Sequence, residues 1–184
     1  MQPVSPSHPL HRLFKGLVEN AFFAELGLCD PDLADYIADL LVKFAHVDML
    51  YALRGADGRR LDRIADMLTT LSCGTDGVRG EDALLVHRHI GDYTLFWSGL
   101  YPEHLQRRRR GLAYRDRLVD YVIQGKQSYA IASRLADDTT SPPSSLLGRL
   151  AAEFDSCRQG LELVRRGWSR ADPDGSGQVT DLLY

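Results

Sequence analysis

His87, His89 and Asp92 form the densest group of chemically capable side chains in the chain, within Val86-His87-Arg88-His89-Ile90-Gly91-Asp92. An imidazole beside a carboxylate can work as a tuned general base, or the two can ligate one metal ion. Which chemistry is open depends on the element that carries them. On a helix, His89 and Asp92 stand three residues apart on one face, while His87 and His89 point to nearly opposite sides. The apparent His-x-His chelate therefore dissolves. His89 and Asp92 remain as the candidate catalytic or metal-ligating pair, with a divalent metal as the cofactor such a pair admits.

A third group for that site must come from elsewhere in the chain, and His46, Asp48, Glu19 and Glu103 are of suitable type. The competing structural reading pairs Arg88 with Asp92 at i,i+4, gives His89 a backbone or inter-helix bond, and leaves His87 at a surface or groove. Familiar catalytic signatures are missing. There is no His-Glu-x-x-His, no Gly-x-Ser-x-Gly, and no Glu-x-x-His of the kind a di-iron bundle needs.

Several residues are candidates for binding a ligand. Trp97 and Tyr101, with Phe96 and Pro102, can furnish the aromatic wall of a small-molecule pocket at the end of the helix that carries Asp92. Tyr121 and Tyr129 can place hydroxyls into a cavity, and all of these aromatics are equally good core packing. Gly125-Lys126 is no phosphate loop, because the glycine required upstream is Asp120 and the next residue is Gln127. Gly125 instead suggests a close helix approach, with Lys126 snorkelling or paired to a carboxylate.

The run Arg107, Arg108, Arg109 and Arg110 can grip phosphates of a nucleic acid or nucleotide. Without a second basic stripe or interleaved aromatics, it reads better as a solvated linker, which argues against nucleic acid as a partner. Near the end of the chain, Asp172, Asp174 and Ser176 occupy the first ligand positions of an EF-hand-like calcium loop, with Gly177 at the glycine position. Position twelve is Leu183 where the bidentate glutamate belongs, so calcium binding there is expected to be weak.

The elements that position these groups read as helices throughout. Leu10, Leu13, Phe14, Leu17, Val18, Ala21 and Phe22 give a first helix ending at Gly27 in a left-handed cap. Asp30-Pro31 starts a second, with an N-cap oxygen and a proline pre-set for the first turn, and Leu33, Ile37, Leu40, Leu41 and Phe44 continue it toward Gly55. A shorter helix carries Leu61 to Leu68. The fourth, from about Glu81 to Gly99, is apolar on two rows, Val86-Ile90-Tyr93-Trp97 and Leu85-His89-Asp92-Phe96, and so belongs at the centre with His89 and Asp92 in or beside the core. A fifth runs from about Tyr114 to Leu135. A loop over 137–145 leads to one last long helix with Leu147, Leu150, Phe154, Cys157, Leu161, Val164 and Trp168 on its stripe.

No segment alternates with period two and no repeat is visible. The expectation is an all-α single-domain bundle of five to six helices over 1–170, with a Gly/Asp-rich tail over 171–184. At 184 residues, 44% hydrophobic and 26% charged, the chain can bury a proper core. Its formal net charge of −3 supplies no global attraction to nucleic acid or anionic membranes. The three cysteines, Cys29, Cys73 and Cys157, form no CxxC pair and no disulfide framework. With no apolar run long enough to span a bilayer and no leader pattern, a soluble cytoplasmic protein is expected. The leading functional reading is a binding or interaction module for a small molecule or protein, with a polar inter-helix site around His89 and Asp92. The alternatives are a metal-dependent or acid-base enzyme using that pair with His46 or a glutamate, and nucleic-acid or phosphate binding through Arg107 to Arg110.

Overall fold

A computed structural model describes residues 9–45, 52, 53, 58, 61, 63–72, 80–102 and 121–171. The described residues form seven helices and no strand. Helix α1 (Pro9–Glu19) turns Phe14 and Val18 inward and widens over Asn20–Glu25, where the amide of Leu26 reaches back five residues to the carbonyl of Ala21 at 3.0 Å. Gly27 then adopts φ 68°, the left-handed conformation that a glycine permits without a Cβ clash.

Helix α2 (Pro31–Phe44) begins as its sequence predicts: the Asp30 carboxylate accepts from the Leu33 amide at 3.2 Å and Pro31 occupies the first turn. Leu33, Ile37, Leu41 and Phe44 form its buried stripe. Helix α3 (Ile64–Ser72) is short and buries Ile64 and Met67.

Helix α4 (Gly80–Leu100) is the central element, and every residue from His89 to Leu100 is buried. It packs mainly on α5 (Tyr121–Leu135) and α7 (Phe154–Ala171), and also touches α2 and α3. Small residues set the α4–α5 spacing: the Tyr129 ring lies over Gly91, so close that a Cβ there would stand 2.7 Å from it. A Cβ on Gly125 would overlap Phe154 and sit 2.5 Å from Thr94 Oγ1. Gly125→Ala should therefore lower stability by about 1–3 kcal/mol through overpacking, although alanine is by about 1 kcal/mol the better helix former. Chemical denaturation measures the difference, and a stabilised variant would contradict the close approach.

Six helices were the upper expectation, and the seventh arises where one long final helix was anticipated. The backbone turns at Glu153 (φ −95°, ψ 20°), between the helical and extended regions, and divides it into α6 (Ser144–Ala152) and α7. The bend lets α6 lie against α5 and α2 while α7 crosses to α4 and α1. An apolar cluster joins all seven helices, from Phe14 and Phe22 through Phe44, Met67 and Phe96 to Leu147, Phe154 and Leu161. No described helix is long and apolar enough to cross a membrane.

Candidate functional site

Asp92 lies at the heart of α4 with 2% of its surface exposed. A carboxylate so buried needs donors, and two neighbouring helices supply them. From α2, the Tyr36 hydroxyl donates to Oδ1 at 2.5 Å and the Lys43 ammonium reaches Oδ2 at 3.1 Å. From α5, the Tyr129 hydroxyl also donates to Oδ1, at 2.9 Å. Asp92 is thus clasped between α2 and α5 by two phenols and one cation.

Burial pushes the Tyr36 hydroxyl well above its ordinary titration range, and the negative charge of Asp92 and their hydrogen bond push it further, with Arg88 opposing weakly. Tyr129 is raised in the same way, by burial first and then by Asp92 and Tyr36. Both phenols therefore stay protonated and serve as donors.

The anticipated Arg88–Asp92 pair does not form. The Arg88 guanidinium instead donates to the carbonyl of Ser141 at 2.9 Å, because Asp92 faces inward and Arg88 faces the loop before α6. His89 is buried, with the Phe44 ring edge-on at 6.0 Å and the Tyr93 ring tilted beside it at 6.3 Å. His87, expected at a surface or groove, is also buried, and burial lowers its pKa below the usual imidazole value. The reason is that α4 is covered on both sides, so even the residues opposite His89 meet protein.

Among the described residues, no group of three or more His, Cys, Asp or Glu is placed to hold a metal ion. Glu19 faces outward on α1, 3.9 Å from Lys15. His46, Asp48, Glu103, Arg107 to Arg110, and the tail residues Asp172, Asp174 and Ser176 lie outside the described residues.

Tyr36 and Lys43 were not among the residues that the sequence singled out. Their signal was present, since they are seven apart on one side of α2 and Lys43 interrupts the apolar run Leu40-Leu41-Val42-Lys43-Phe44-Ala45. A lone lysine in such a run on a buried helix implies a carboxylate within reach.

The Asp92 row of α4 continues through Phe96 to Leu100, and there it opens on a cavity of about 290 Å³. Phe14 from α1, Phe44 from α2, Phe96 from α4 and Trp168 from α7 make its aromatic walls, with Leu41, Ala45 and Leu100 between them. Phe14 meets Trp168 at 4.9 Å between ring centres, and Phe44 meets Phe96 edge-to-face at 5.2 Å. Tyr101, Arg165 and Ser169 add the polar groups. Arg165 donates to the carbonyl of Leu100 at 2.7 Å, which holds its guanidinium at the C-terminal end of α4.

Tyr101 is thus a lining residue, while Trp97 stands one layer behind it, packed on Phe96 and Tyr101 at 5.6 and 5.8 Å. Lys126 is elsewhere, on the outer side of α5, paired to Asp155 at 2.6 Å. Cys157 is fully buried on the core stripe of α7, and burial pushes its thiol up to about 12. At pH 8 its alkylation in the folded protein should be slower than that of exposed Cys29 by on the order of a thousandfold, given the scarcity of thiolate. Peptide-resolved mass spectrometry before and after unfolding checks this, and equal labelling rates would contradict it.

Comparison with protein-family models, curated proteins and solved structures finds no match to this chain.

Proposed function

We propose that this chain is a single-domain helical bundle that binds a small, largely apolar molecule in the cavity between α1, α2, α4 and α7. The observation that carries the reading is that cavity: about 290 Å³, walled by aromatic and aliphatic side chains and carrying a few polar groups at one side. That composition is characteristic of ligand sites, which combine an apolar lining with a small number of placed polar groups. The Asp92 cluster contributes as the clasp that sets α2 against α4 and α5, because both of its carboxylate oxygens already receive donors from the chain.

The size of the cavity bounds the ligand. An apolar cavity of about 150 Å³ accommodates a benzene ring, so roughly twice that volume suits a bicyclic molecule of about ten heavy atoms. Naphthalene is the direct probe. It should raise the unfolding temperature of the wild-type protein in a concentration-dependent way, as any ligand selective for the folded state does. Ala45→Phe, which builds a ring into the cavity from the end of α2, should keep the fold and abolish the effect. Unfolding of the wild type that is indifferent to naphthalene would overturn the reading.

A further inference from the structure

We infer that the ligand of this cavity is a bicyclic aromatic hydrogen-bond donor, with its rings among Phe14, Phe44, Phe96 and Trp168 and its O–H or N–H given to the Ser169 hydroxyl oxygen at the rim. The inference rests on the binding role proposed above and specifies the ligand's polar group and the side chain that selects it.

The proton of Ser169 is already committed. Ser169 lines the cavity from the last turn of α7, is exposed to solvent, and donates its hydroxyl to the backbone carbonyl of Arg165, one turn back, at 3.0 Å. A serine hydroxyl has one proton and two lone pairs. With the proton turned into its own helix, the group offers the cavity an acceptor and no donor. No described residue donates to that oxygen, so its lone pairs are open to a ligand.

The backbone around the cavity has the same polarity. Helix α2 ends at Phe44 and α4 at Leu100, and Trp168 and Ser169 belong to the last turn of α7, so three helix C-termini meet at this space. Each such terminus carries roughly half an elementary negative charge and more carbonyl acceptors than its helix has donors for. Arg165 bonds the Leu100 carbonyl at the end of α4, while Lys43, the basic residue in the last turn of α2, is turned to Asp92. The field of these termini favours a ligand that points the positive end of a bond dipole, an O–H or N–H, toward them. The walls select the rest of the molecule: aromatic side chains from all four helices meet at tilted and edge-to-face angles, the arrangement that also accepts the faces and edges of a planar ring.

The test compares 2-naphthol with 2-fluoronaphthalene, which has nearly the same shape and no proton to donate, by equilibrium dialysis at neutral pH. 2-Naphthol should bind about three- to tenfold more tightly, the ratio one net hydrogen bond supplies. A cavity without a placed acceptor gives the opposite order, because the hydroxyl then loses water for nothing. Ser169→Ala should keep the fold, alanine being the better helix former at an exposed position, and should erase the preference while leaving the affinity for 2-fluoronaphthalene unchanged. If the two compounds bind the wild-type protein equally, or 2-fluoronaphthalene binds better, the inference fails and the binding role survives. If 2-naphthol is preferred and Ser169→Ala preserves that preference, Ser169 is not the acceptor and the inference fails as well. If neither compound binds, both the inference and the binding role fail.

Discussion

Replacement of Asp92 by alanine is expected to be among the most damaging single substitutions in this protein, costing about 3–5 kcal/mol of folding stability. The expectation follows from what remains behind. Tyr36 and Tyr129 both direct their hydroxyls at Oδ1, and Lys43 directs its ammonium at Oδ2. Without the carboxylate, two donors are left in the interior with no acceptor, and an unsatisfied buried group costs more than its hydrogen bond contributed. Lys43 suffers least, since its side chain is 28% exposed and can swing to water. Tyr36→Phe and Tyr129→Phe, each removing one bond to a charged acceptor, should cost about 1.5–3 kcal/mol apiece. Lys43→Met should cost less than Asp92→Ala for the same solvent reason.

Because the four groups act as a unit, the losses should not add. Asp92→Leu combined with Tyr36→Phe, Tyr129→Phe and Lys43→Met removes donors and acceptor together, and it should recover much of what Asp92→Ala alone loses. Urea unfolding midpoints measure all of these. A cost below about 1 kcal/mol for Asp92→Ala is what an exposed carboxylate would give, and it would show that the clasp does not organise the core.

The part of this arrangement that could be read in advance is the part determined by one helix. Two apolar rows on α4 imply a central helix, and a central helix implies that Asp92 and His89 are enclosed; both are buried. The left-handed Gly27, the Asp30 cap and the close approach at Gly125 were equally local, since each depends on residues within a turn or on the absence of a single Cβ. What could not be read is the pairing between helices. The Arg88–Asp92 pair was the natural expectation at i,i+4. It lost to Tyr36, Lys43 and Tyr129, whose reach to Asp92 depends on how α2 and α5 flank α4. His87 was misplaced for the same reason, because helical rows say which residues share a side but not how many sides are covered. The bend at Glu153 carries no proline or glycine to announce it. The cavity depends on how α1, α2, α4 and α7 come together, and only Phe96 and Tyr101 of its lining were grouped as a pocket wall beforehand.

The second large effect is expected at alkaline pH. Tyr36 and Tyr129 have their pKa values raised well above the ordinary tyrosine value near 10 by burial and by the charge of Asp92. In the unfolded chain both titrate near that ordinary value. Below pH of about 10, folded and unfolded states bind the same number of phenolic protons, and the two groups impose no pH dependence. Above it, the unfolded state releases protons that the folded state retains, so stability falls as pH rises, by about 1.4 kcal/mol per pH unit for each group. With two groups the slopes add, so the decline is about twice as steep as a single phenol would give. Tyr36→Phe with Tyr129→Phe should start from a less stable fold and yet show a shallower decline with pH, which separates these groups from every other side chain that titrates in the same range. Phenolate absorbance near 295 nm gives an independent view. Of the chain's eight tyrosines, Tyr36 and Tyr129 at least should remain un-ionised until the protein unfolds. If all eight titrate smoothly while the helices are intact, Tyr36 and Tyr129 are open to solvent and the clasp around Asp92 is not closed.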